Sequence, residues 1–210
     1  MFVRVTRTEG DPAKLEQAIA TYQQQVIPRA RQMAGFAGAV LLADRSTGAG
    51  LSVTYWQSEE ALRESEPAAD TLRAQVAQTT GARVQEVERF EIVLQERTAP
   101  PQAHTFVRVN TVYGSPDRID ESVRFVREQV TPVLKQQRGF RAVLMGVNRQ
   151  SGRAVVSTVW DSAADREASD AALSELRRRG GQMAGTDRVQ VELFETVFAE
   201  VSQAAAASAV

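Results

Sequence analysis

The chain has 210 residues and no cysteine, and its 25 Lys and Arg against 26 Asp and Glu leave a formal net charge of -1. The lack of cysteine removes disulfides, thiol catalysis and thiolate metal sites, and near-neutrality gives no overall attraction to nucleic acid or acidic lipid. No apolar run approaches the roughly 18 residues of a membrane span, and Phe2 opens a strand pattern with no charged-then-apolar leader before it, so a cytoplasmic protein without membrane or nucleic-acid partners is expected.

In chain order, Phe2 to Thr8 alternates, with Val3 and Val5 on one face and Arg4 and Thr6 on the other, which predicts a strand. Asp11-Pro12 supplies a helix cap followed by a proline at the first helical position. Leu15, Ile19, Tyr22 and Val26 recur at helical spacing and predict a helix to about residue 33. Pro28 lies inside it and should kink or divide it, at a cost of about 3 kcal/mol unless the surroundings compensate. Gly35 stops that helix, and a second strand follows from Phe36 to Asp44. Arg45-Ser-Thr-Gly48 reads as a hairpin turn into a third strand ending at Trp56. Ser58 then caps a second helix, with Glu59 and Glu60 in its first turn where the helix dipole favours them. That helix is expected to break near Glu66-Pro67 and to end near Gly81, and Arg83 to Glu96 reads as a fourth strand.

The same pattern occurs again 104 positions on. Phe106-Val-Arg-Val repeats Phe2-Val-Arg-Val, Ser115-Pro116 falls on Asp11-Pro12, and Pro132 and Gly139-Phe140 fall on Pro28 and Gly35-Phe36. Trp160-Asp-Ser162 falls on Trp56-Gln-Ser58, Leu176-Arg177 on Leu72-Arg73, and Phe194-Glu195 on Phe90-Glu91. About three in ten positions are identical without a gap. A period this long implies duplicated domains, not a solenoid of short units. In the second copy the helix from Ser162 is expected to end near Gly180-Gly181, and the last strand to run from Asp187 to Glu200. The expected organisation is a first repeat over 1–97, a Pro-rich linker over 98–104, a second repeat over 105–200, and an Ala- and Ser-rich tail over 201–210 read as partly disordered.

Each repeat is β-α-β-β-α-β, the ferredoxin-like arrangement. A four-stranded sheet covered by helices on one face leaves the other face bare, an apolar patch that monomers rarely expose. The expected fold is therefore α+β: two ferredoxin-like repeats packed sheet to sheet as an intramolecular α+β barrel, monomeric in solution as an internal pseudo-dimer. The β-α-β-β-α-β order, the proline in the first helix, the Gly-Phe start of strand two and the Trp-x-Ser corner together resemble the dimeric α+β-barrel superfamily, nearest to its antibiotic-biosynthesis-monooxygenase branch. The resemblance covers nearly the whole chain. Members are usually homodimers forming an eight-stranded barrel, and this chain looks like such a dimer fused in one polypeptide.

The resemblance implies two active branches. Haem-degrading members have an Asn on the first strand, a Trp on the third and a haem-ligating His on the second helix. Asn110 and Trp160 match the first two in the second repeat; in the first repeat Thr6 replaces the Asn while Trp56 remains. Neither second helix contains a His, and the single His104 is in the linker, where it reads as an exposed residue. Haem ligation is therefore not expected, nor is zinc or another cofactor; a divalent cation on carboxylates alone stays open but has no clustered Asp/Glu spacing behind it, and the expectation is no metal. Cofactor-independent members oxidise polycyclic phenols with dioxygen directly. For that chemistry the candidate catalytic residues are Arg108 for developing negative charge, Asn110 for a carbonyl and Trp160 for ring stacking, with Arg4, Thr6 and Trp56 as candidate substrate-binding residues in the first repeat. The expected partner is a small hydrophobic or aromatic molecule held near Trp160, Asn110 and Arg108. Two other readings stay open: the Trp residues can be core anchors, and Arg4 and Arg108 can pair with Glu88 or Glu91 and with Glu192 or Glu195, since buried charges must be paired. A non-catalytic ligand-binding or stress-related barrel is the alternative function.

Overall fold

The computed structural model describes residues 1–206. It is an α+β fold whose antiparallel strands follow the hydrogen-bonded order β1-β3-β2-β8-β5-β7-β6-β4, closing back on β1 as a closed barrel. The strands are β1 (Phe2–Glu9), β2 (Phe36–Ala43), β3 (Ala49–Trp56), β4 (Arg83–Arg97), β5 (Phe106–Tyr113), β6 (Phe140–Val147), β7 (Arg153–Trp160) and β8 (Val189–Val201). The helices are α1 (Leu15–Thr21), α2 (Ile27–Ala30), α3 (Glu59–Glu64), α4 (Glu66–Thr80), α5 (Ile119–Phe125), α6 (Thr131–Lys135), α7 (Ala163–Ala168), α8 (Asp170–Met183) and α9 (Gln203–Ala206).

Contacts divide the chain into two compact units. The first comprises Met1–Arg89, Pro101–Ala103 and Glu195–Ala206. The second comprises Phe90–Pro100 and His104–Phe194 among the described residues. The two longest strands change unit along their length, β4 after Arg89 and β8 after Phe194.

In the first unit, β3 is central: Thr54 faces Arg4 on one side and Ala39 on the other, and Trp56 faces both Phe2 and Phe36. β2 then pairs with the second half of β8, from Gly38 opposite Val201 to Ala43 opposite Glu195. The second unit has the matching register, Trp160 facing Phe106 and Phe140, with β6 paired to the second half of β4. Its core gathers Trp160, Phe125, Leu134, Val143, Met145 and Leu173, all buried.

The proline in each first helix is accommodated by a change of winding. Tyr22–Val26 and Val126–Val130 form one wider turn, in which the N–H of Ile27 reaches the carbonyl of Tyr22 and that of Thr131 reaches Val126, five residues back. A single π-type turn shifts the ladder so that the missing N–H of Pro28 and Pro132 and their rings fall at the start of a fresh helical segment, where proline is tolerated. Helix α2 ends at Ala30 and α6 at Lys135, slightly before the expected 33 and 137.

The expected Ser58 and Ser162 caps are in place: each hydroxyl accepts a backbone N–H, from Ala61 at 3.1 Å and Asp165 at 3.0 Å. Asp11 caps through the Ala13 N–H at 2.9 Å, whereas Ser115 makes no side-chain cap bond. Gly48 and Gly152 close the two hairpins at φ of 77° and 78°, and a Cβ on either would meet a backbone oxygen at 2.2 or 2.4 Å.

Several expectations are corrected. The break in the second helix occurs in both halves, at Ser65 and Ser169, and the second lacks any proline. Helix α8 runs through Gly180-Gly181 to Met183, and the left-handed residue that follows is Gly185 at φ 73°. Gly181 is there for close packing, since a Cβ would meet the Thr186 carbonyl oxygen at 2.9 Å. The last strand begins at Val189, not Asp187. Within the tail, Val201 ends β8 and Gln203–Ala206 form α9; the remainder, 207–210, lies outside the described residues.

Candidate functional site

Strand alternation sets which side chains meet the helices. In β5, Arg108, Asn110 and Val112 point towards α5 and α8, and in β1, Arg4, Thr6 and Thr8 point towards α1 and α4. Each unit thereby has a partly open cavity between its sheet and its helices, of about 140 Å³ in the first and about 80 Å³ in the second. For scale, an apolar cavity of about 150 Å³ is enough for benzene.

Arg4 of β1 and Arg108 of β5 are both buried and hydrogen-bonded to the helices. Arg4 donates through Nη2 to the Leu62 carbonyl at 2.7 Å, to Ser65 Oγ at 2.8 Å and to Glu66 Oε2 at 3.1 Å. Arg108 donates to the Arg166 carbonyl at 2.8 Å and to Ser169 Oγ at 3.1 Å, with Asp170 at 3.3 Å. The expected pairing with Glu88, Glu91, Glu192 or Glu195 is thus corrected. Arg4 and Arg108 face the helices, where the breaks at Ser65 and Ser169 offer a hydroxyl together with the carbonyl that this hydroxyl also bonds, that of Leu62 or Arg166. Glu88 is bound by Arg7 at 2.6 Å, Glu91 by Arg149 and Glu195 by Arg45. Burial lowers the proton affinity of both arginines. At Arg4, Glu66 opposes the shift; at Arg108, the Arg177 charge reinforces it and Asp170 opposes it. Burial also pushes the Glu66 carboxyl up, but hydrogen bonds from Arg89 and Arg73 and the Arg4 charge outweigh this and hold it below the ordinary carboxylate value.

The tryptophans separate. Trp160 is fully buried, donates Nε1–H to Thr158 Oγ1 at 3.1 Å and packs edge-on against Phe140 at 5.7 Å. It does not line the second cavity, so the expected stacking of a ligand on Trp160 is corrected: Phe140 and the core seal its ring. Trp56 makes the same internal bond to Thr54 at 3.0 Å and the same contact to Phe36 at 5.6 Å, yet also borders the first cavity, with the Arg4 guanidinium 5.4 Å over its ring.

The cavities differ in chemistry. The first contains Thr6, Thr8, Ser52, Thr54 and Tyr22, with exposed Lys14 beside them. Tyr22 hydrogen-bonds to Ser52 at 2.9 Å, and burial, partly offset by that bond, pushes its phenol up to about 12, so it stays protonated. The second keeps Thr158 where the first has Thr54, replaces the other four with Asn110, Val112, Val126 and Val156, and is mostly apolar. Asn110 is 7% exposed; its Nδ2 donates to the Val156 carbonyl at 3.2 Å, while its Oδ1 has no partner. His104 is exposed and left-handed at φ 60°. Among the described residues there is no group of three or more His, Cys, Asp or Glu placed to hold a metal, and no helix long and apolar enough to cross a membrane.

No family model matches the chain. An uncharacterized protein of Mycobacterium tuberculosis, Rv2558, is 28% identical over 202 residues, covering 96% of this chain and 85% of that protein. Among solved structures, an anthrone oxidase-like protein superposes with a TM-score of 0.70 at 14% identity, covering 96% of this chain and 94% of the other. A candidate monooxygenase from Fusobacterium nucleatum superposes at 0.71 and 12% identity, covering 95% and 94%. At such identities the likeness is one of fold. The chain has the fold of these monooxygenase-like proteins.

Sequence reasoning missed Ser65 and Ser169, Tyr22 with Ser52, and the cavity-lining Ser122, and it noted Arg177 only as an identity kept between the repeats, without a role. Ser65/Ser169 and Arg73/Arg177 are identical across the 104-residue shift and would have been found by asking which polar identities the repeats keep. Ser122 has no such signal, because Ala18 stands at its counterpart.

Proposed function

We propose that the second cavity binds a small aromatic compound bearing a ring hydroxyl, and that the chain is a cofactor-independent monooxygenase for it. The observation that carries this is a partly open, mostly apolar cavity lined by Asn110, whose Oδ1 has no partner. An apolar pocket with few convergent polar groups suits an oriented ring, and a buried acceptor without a partner is costly unless a ligand donates to it. Arg108 and Arg177 supply positive charge where an ionised ring oxygen would sit. For a hydroquinone-type substrate the stoichiometry is one dioxygen per ring. A ring C–H becomes C–O, the ring is oxidised to the hydroxyquinone, and the second oxygen atom leaves as water with two substrate hydrogens. The substrate supplies all the electrons. No carboxylate or imidazole lines this cavity, so the reading favours substrates acidic enough to ionise without a strong base.

The test is dioxygen uptake with a panel of hydroquinones and catechols in the presence of a metal chelator. Uptake matched one to one by hydroxyquinone is expected, falling about a hundredfold in Asn110→Leu. Binding by calorimetry without uptake would leave the second reading, a non-catalytic ligand-binding protein, which the absence of an acid–base group in the wall favours.

The same proposal takes 1–97 and 105–200 as the two copies of a duplicated ferredoxin-like unit related to the antibiotic-biosynthesis monooxygenases, acting as a monomer. Support comes from the element order of β1 to β4, which recurs in β5 to β8, and from the strand order, which leaves no unpaired edge to recruit a second chain. Sedimentation equilibrium should give the chain mass of 23.0 kDa; an obligate species of twice that mass would count against it.

A further inference from the structure

Three buried polar atoms in the second unit lack a partner and belong to residues lining the same cavity: Asn110 Oδ1, Ser122 Oγ and Arg177 Nη1. They come from three elements, β5, α5 and α8. One is an acceptor, one a charged donor, and the hydroxyl can be either. Asn110 and Ser122 are 7% and 9% exposed, so solvent does not satisfy them freely. Their counterparts in the first unit do not reproduce the set. Thr6 replaces Asn110 and Ala18 replaces Ser122, while Arg73, whose Nη2 meets Glu66 at 2.6 Å and Asp70 at 2.5 Å, has no buried atom without a partner. Charge points the same way. The second cavity has two guanidinium groups, Arg108 and Arg177, which share one carboxylate, Asp170, itself half exposed.

Resting on the reading that this cavity is the binding site, we propose that it selects a single-ring hydroxyaryl monoanion. The ring lies among Val126, Val156 and Leu173, the anionic oxygen on Arg177 Nη1 and Ser122 Oγ, and the ring hydroxyl donates to Asn110 Oδ1. An anion satisfies the charged donor and offsets the excess positive charge; a neutral ring leaves both unmet. The volume, about 80 Å³ against about 150 Å³ for a benzene-sized cavity, leaves no room for more than one ring, and part of that ring lies at the cavity's open side. Ser122 and Arg177 are then specificity-determining residues, and the two units bind different molecules.

The experiment is calorimetric titration of the full chain with 3-hydroxybenzoate, benzoate, phenol and toluene. The expected order places 3-hydroxybenzoate first, with benzoate and phenol each weaker by about tenfold or more and toluene weakest. Arg177→Met should weaken 3-hydroxybenzoate about tenfold to a hundredfold and leave phenol within about threefold, Arg177→Lys should restore part of the loss, and Ser122→Ala should cost about fivefold to tenfold. Equal affinity for all four probes, unmoved by these substitutions, would overturn the proposal and keep the cavity as a generic ring site. Binding of none of them would overturn the proposal and the ligand-binding reading together, with water as the partner of the three atoms. Circular dichroism of each variant distinguishes lost affinity from lost fold.

Discussion

Trp160→Ala is expected to destabilise the protein by about 3–5 kcal/mol, lowering Tm by roughly 6–20 °C for a chain of this size. The ring is fully buried, is enclosed by the second unit's core, packs edge-on against Phe140, and satisfies its only donor internally on Thr158. Truncation removes all of that surface burial and leaves a void that the surrounding strand residues cannot fill. Trp160→Phe is expected to cost less, because an aromatic ring still meets Phe140. Ligand affinity of the second cavity should stay within about threefold of wild type in Trp160→Phe, since the residue is not in its wall. Thermal denaturation and calorimetric titration check both halves. Loss of binding in a stable Trp160→Phe protein would show that the ligand sits elsewhere, and a cost below about 1 kcal/mol for Trp160→Ala would deny it the anchoring role. Trp56→Ala provides the contrast. That ring is as deeply buried, but it borders an existing cavity and the Arg4 guanidinium, so indole added to the variant should raise its Tm.

What the sequence made legible was whatever depends on local pattern. Period-2 alternation placed β1 and β5, Ser-led acidic turns placed the caps of α3 and α7, and the 104-residue shift gave the second half its elements. Burial of Arg4 and Arg108 was also readable, because a charge on an alternating strand must face either water or a partner. Their partners were not. Alternation says that Arg4 and Val3 diverge, but not that Arg4 meets the helices while Arg7 takes Glu88. The break at Ser169 was hidden for a related reason. Pro67 advertises the first break, whereas the second depends on Ser169 exchanging helix continuity for bonds to Arg108 and the Arg166 carbonyl, a tertiary effect with no local signature. Gly180-Gly181 misled in the opposite direction: glycine read as a stop serves there to let Thr186 approach. Ser122 had no cue at all, because a serine in a helix is ordinary until the cavity it faces is known.

The second large effect is expected at Glu66. Its carboxylate receives Arg4 at 3.1 Å, Arg73 at 2.6 Å and Arg89 at 2.7 Å, and its side chain is 20% exposed while that of Arg4 is 3% exposed. Glu66→Gln leaves the buried Arg4 with only the Leu62 carbonyl and Ser65 hydroxyl and places three like charges around a neutral amide. Stranding a buried charge costs about 3–5 kcal/mol; the partial exposure of Glu66 brings the expected loss to about 2–3 kcal/mol. The matching residue in the second half is Asp170, whose side chain is 52% exposed, and Asp170→Asn should cost less than about 1 kcal/mol. The pH dependence fixes the cause. Because the folded-state pKa of Glu66 lies below the ordinary value, the unfolded chain takes up its proton first as the solution is acidified. The contribution of Glu66 is therefore complete above an unfolded pKa of about 4.3 and is lost as pH falls through the lower folded value. The stability gap between wild type and Glu66→Gln, measured by urea denaturation, should be constant from pH 7 to about 5 and narrow steadily below about 4. A gap that does not change down to pH 2 would mean that the variant fails through packing, not charge. High salt should shrink the gap only slightly, since the Arg4 side of the cluster is buried and poorly screened.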